Sequence, residues 1–62
     1  MNNEQKAQEY NRLLFLHDRI TEKIRVIKAD KFELTEKDMG QIRILENEQR
    51  KIMSVVERLL QS

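Results

Sequence analysis

The sequence predicts an all-α fold, an antiparallel two-helix hairpin that dimerises into a four-helix bundle. Three observations predict it. The 62 residues include no proline and one glycine, with 37% of positions charged and 39% hydrophobic, the balance of long amphipathic helix rather than of a disordered tail. Two stretches of about 25 residues carry seam residues at alternating spacings of three and four, one stripe of a heptad pattern in each. Finally, large apolar residues flank both stripes, so the apolar surface is wider than a two-helix seam can cover.

The first helix is expected over about 3–31. Asn2 or Asn3 can cap its start, since a short polar side chain there accepts from the free N–H groups of the first turn. Its seam is Tyr10, Leu13, His17, Ile20, Ile24 and Ile27. The stretch RLLFLHDRI, residues 12–20, places four large apolar residues in succession. At about 100° per residue these point in four directions. Leu13 faces the companion helix, Leu14 and Leu16 lie on opposite flanks, and Phe15 points away, among Gln8, Asn11, Arg12, Asp18, Arg19 and Glu22.

The corner is expected at about 31–35, within KFELTEKDM. Thr35 suits an N-cap, with Asp38 three residues on to complete a capping box, and Leu34 and Met39 are spaced as a hydrophobic staple. Glu36 and Asp38 put negative charge in the first turn, where the helix dipole favours it. The end of the first helix, near Asp30 or Lys31, has no glycine to mark it.

The second helix is expected over about 36–61, with the seam Ile42, Leu45, Gln49, Ile52, Val56 and Leu59. A single unbroken helix would keep one heptad phase, apart from a stutter. Here the "a" positions run 10, 17, 24 and then 42, 49, 56, a slip of four that a turn explains. Met39, Met53 and Leu60 lie along one flank of this helix, and Ile44 and Val55 along the other. The short connection makes the helices antiparallel neighbours.

Size points to a companion. A domain of about 60 residues buries only about 60% of its unfolded surface. Disulfides are excluded by the absence of cysteine, and a structural zinc site within one chain by the single histidine. Oligomerisation remains. His17 and Gln49 interrupt otherwise apolar seams at equal distance from the corner. They are expected to form a buried polar pair that sets register, rather than a pH switch or a catalytic imidazole.

No converging catalytic group is legible. Ser54 and Ser62 have no histidine at helical spacing, and Gly40 lies inside a helix, so no phosphate-cradling loop exists. Gly40 marks either a weak spot or a close helix approach. The expectation is a non-enzymatic protein–protein interaction module or regulator, without cofactor or metal, acting as a homodimer that binds another protein. Its interface candidates are Leu14, Phe15, Leu16, Ile44, Met53, Val55 and Leu60. The alternative is an RNA- or DNA-binding bundle using Arg12, Phe15, Arg19 and Lys23, a basic face with one aromatic. Against this, Asp18 and Glu22 dilute the face, and a net charge of +1 gives no global pull toward nucleic acid.

The overall shape is similar to the plasmid repressor-of-primer family, helical hairpins that dimerise and bind paired RNA loops. The likeness is one of architecture, with no shared motif and no residue carried over. The S-Q-E-L-D signature of the helical-hairpin sporulation phosphatases is missing, and ILENEQR does not replace it. No apolar run is long enough to span a bilayer, and MNNEQK lacks the apolar core of a signal peptide. A cytoplasmic protein is therefore expected. Richness in Lys, Ile, Asn and Glu would suit an AT-rich bacterial or phage genome.

Overall fold

The computed structural model describes residues 2–29 and 31–61, which contain two α-helices packed against each other. Helix α1 spans Asn3–Lys28 and α2 spans Glu36–Gln61. Each has 26 residues, or about 39 Å of helix. The hairpin is a flat slab measuring 47 × 16 × 11 Å.

Both helices start at capping boxes. The Asn2 side chain accepts from Gln5 N–H at 2.8 Å, and the Gln5 side chain accepts from Asn2 N–H at 3.4 Å. Asn2, rather than Asn3, is therefore the cap. At the second start, Asp38 N–H donates to Thr35 Oγ1 and Thr35 N–H donates to Asp38 Oδ2, each at 3.1 Å. These reciprocal bonds satisfy amide groups that the first turn leaves without intrahelical partners. Leu34 is half-buried, while Met39 stays largely exposed.

The end of α1 differs from expectation. The helix stops at Lys28 instead of near residue 31, and Ala29 turns to an extended backbone (φ −63°, ψ 137°). Asp30 lies outside the described residues. Ala29 N–H still donates to the Arg25 and Val26 carbonyls, which closes the last turn. The early stop leaves Lys31 in the connection, where its Nζ sits 2.9 Å from Asp38 Oδ1. This contact ties the corner to the start of α2, and local sequence does not announce it.

The core is the seam. Leu13, Ile20, Ile42, Val56 and Leu59 are buried, with Tyr10 and Ile52 packed against the cluster of Leu13, Val56 and Leu59. The remaining seam positions are half-buried. Val56 is the most enclosed of the buried residues and still shows 3% of its surface. Two helices bury a line of side chains, and both sides of that line remain open to water.

Candidate functional site

His17 and Gln49 do meet across the seam, as their matched heights require, but neither is buried. The expected buried pair is corrected on that point: within the hairpin both residues are half-buried, although Ile42 and Val56 at neighbouring "a" positions are buried. The bonding also differs. Gln49 Nε2 donates to the backbone carbonyl of His17 at 3.3 Å and to Thr21 Oγ1 at 2.7 Å, while Thr21 Oγ1 donates to the same carbonyl at 3.1 Å. Thr21, one turn beyond His17, is thus the side-chain partner that sequence reasoning missed. The His17 side of this contact forms a shallow hollow with Glu46, Arg50 and Met53.

The two helices run in opposite directions. Tyr10 and Ala7 line one hollow with Leu59 and Leu60, whereas Ile27 and Lys23 line another with Gln41 and Leu45. Antiparallel direction sorts the flanking residues into two broad faces. Leu14 joins Met39, Met53 and Leu60 on one face. Leu16 joins Val26, Ile44 and Val55 on the other.

Much of this apolar surface is open. Ile44 is 61% exposed, Val26 65% and Leu60 67%, with Leu16, Met53 and Val55 near 40%, while Leu14 is half-buried. Val26 was not among the sequence candidates. It occupies the middle of a charged stretch, and only the packing of the helices places it beside Ile44. Phe32, fully exposed in the connection, was missed likewise.

The two faces differ in charge. The Leu14–Met53 face mixes signs, with Asp18, Glu46 and Glu57 interspersed with Arg43 and Arg50. The Val26–Ile44 face carries Arg12, Arg19, Lys23, Lys37, Lys51 and Arg58 against Glu9 and Glu48 by helical register. Arg12, Arg19 and Lys23, foreseen as a nucleic-acid face, do share this side. Phe15 borders it, with the Arg19 guanidinium 6.0 Å from its ring centroid, at the edge of cation–π range. Arg12 lies 3.9 Å from Glu9, a loose exposed pair.

Between the helices on this basic face runs an open trough of about 630 Å³. Val26, Ile27, Ile44 and Leu45 contribute its apolar lining, and Arg19, Glu22, Lys23 and Gln41 its polar margin. Glu22 is engaged by Arg25 at 2.8 Å. Among the described residues no three of the His, Cys, Asp and Glu side chains are placed to hold a metal ion. Among the described residues no helix is long and apolar enough to cross a membrane. Compared with known proteins, the chain matches no family model, no curated protein and no solved structure.

Proposed function

We propose that the chain is a non-enzymatic interaction module: two hairpins pair through their Leu14–Met53–Leu60 faces into a four-helix bundle, and the bundle binds another protein. The observation that carries this reading is excess surface. A folded monomer of 7.5 kDa presents about 4,200 Å² to water, whereas this chain presents 5355 Å². The surplus is about 1,100 Å², and a stable interface removes about 800 Å² from each partner.

Charge selects the face. In a two-fold pair the same patch meets itself, so each charge must find its opposite on an identical surface. Asp18, Glu46 and Glu57 among Arg43 and Arg50 allow that. The opposite face would set cations against cations, which disfavours self-pairing.

Sedimentation equilibrium tests the reading. At about 10 μM, well above the dissociation constant of a standard obligate pair, the wild-type chain should sediment at twice 7.5 kDa. Leu14→Glu and Met53→Glu should shift it to monomer, and Glu22→Ala should leave it unchanged. A wild-type monomer with full helicity at that concentration overturns the proposal.

The grouping of Arg12, Arg19 and Lys23 on one side supports a second reading, RNA or DNA binding. Gel-shift titration at two salt concentrations tests it, because phosphate contacts weaken steeply as salt rises. No shift at low salt removes this reading.

A further inference from the structure

We propose that the trough on the basic face is a docking groove for an acidic amphipathic helix of a partner protein. This rests on the interaction-module reading and supplies the partner class that it leaves open. The floor comes from both helices, Val26 and Ile27 from α1 and Ile44 and Leu45 from α2. A third helix laid between two others buries an apolar stripe at i, i+3, i+4 and i+7 in such a floor. The open apolar side chains continue from Val26 and Ile44 to Leu16 and Val55. On α1 that is ten residues, about 15 Å or three helical turns.

Charge complementarity identifies the flanks of the incoming helix. Arg19 and Lys23 stand at the margin, and Arg12, Lys37, Lys51 and Arg58 extend the basic field along the same side. The chain as a whole has a net charge of only +1, so this is segregation of charge rather than general basicity. Glu22, the one carboxylate lining the trough itself, is paired with Arg25 at 2.8 Å, and six cations on this face stand against Glu9 and Glu48. Glutamates or aspartates beside the partner's apolar stripe would therefore meet cations on both sides.

The same observations disfavour other occupants. A second copy would bring its own cations against these. A phosphate backbone would use the rim but gain nothing from Val26, Ile27, Ile44 and Leu45. Phe15, the aromatic that could stack on a base, points away from the floor and already carries Arg19 over its ring.

Fluorescence anisotropy with the full chain provides the test. The probe is a labelled helical peptide with leucines at i, i+3, i+4 and i+7 and glutamates on both flanks. A second peptide carries lysine in place of each glutamate. The acidic peptide should bind with a Kd of about 10 μM, and the lysine peptide should not. Ile44→Glu should weaken binding at least tenfold. It should still sediment as a dimer with unchanged helicity, since Ile44 is exposed and off the dimer face. Lys23→Glu should weaken binding too, whereas Gln8→Ala, at an exposed position outside both the groove and the dimer face, should not.

Equal binding of both peptides, indifference to Ile44→Glu and Lys23→Glu, or no binding of the acidic peptide would each overturn the assignment. So would a preference for duplex RNA or phosphatidylserine vesicles over the acidic peptide. A wild-type chain that binds the acidic peptide yet sediments as a monomer would defeat the dimer and leave the groove standing.

Discussion

Asp38 is held from two sides. Lys31 Nζ lies 2.9 Å from one carboxylate oxygen, and Thr35 N–H donates to the other at 3.1 Å. Lys31 first, then the Thr35 backbone, holds this carboxyl below its ordinary value of 3.8. A lowered folded-state pKa means that the unfolded chain takes up the proton more readily. The stabilisation from ionised Asp38 is therefore complete above about 3.8 and is lost as pH falls through the lower folded value. Melting temperature followed by circular dichroism should drop as pH is taken below 4, and Asp38→Asn should flatten part of that drop. Thr21 makes a second prediction at this scale. Thr21→Val removes the hydroxyl that accepts from Gln49 and should lower the urea-unfolding free energy by about 0.5–1.5 kcal/mol. The polar interruption at Gln49 was legible in the sequence, but its partner was not. Spacing puts His17 at the right height, while the atoms that meet depend on the axial offset of the helices.

At the scale of the element, start signals and stop signals were unequal. Thr35 and Asp38 form the expected box because the cap is a local bond network within four residues. The end of α1 had no such local code, and the chain leaves the helix at Lys28 with Lys31 reaching Asp38 from the connection. Gly40 is likewise settled by geometry. A Cβ built there would meet nothing within 4 Å, so this glycine is a weak spot and not a point of close helix approach. Gly40→Ala should then stabilise α2 by about 1 kcal/mol, raising the melting temperature by about 4–8 °C for a domain of this size.

At the scale of the whole molecule the hairpin is a slab with too little interior. Its radius of gyration is 14.6 Å, against about 11 Å for a globular chain of this length. It buries about half of the surface its unfolded chain would expose, less than the roughly 60% usual for a domain near this size. Stability drawn from a second copy depends on mass action. The melting temperature should therefore climb as the chain is concentrated from about 1 to 100 μM. A concentration-independent melt would mean that the single hairpin is self-sufficient. Leu14 and Met53 were legible as interface candidates, as were Leu16, Ile44 and Val55. What the sequence left open was which of them belong together.

The sequence by itself determined the two seams, the capped start of α2 and the surplus of apolar side chains, because each is a periodicity or a bond pattern read along one stretch of chain. Tertiary structure decided the rest. Leu14 shares a face with Met53, and Val26 and Leu16 share the other with Ile44, because the two helices run in opposite directions. Reversing one helix would exchange its flanks and scatter the basic groove. Helical period places a residue around its own axis, and only the packing of one axis on another says what lies beside it.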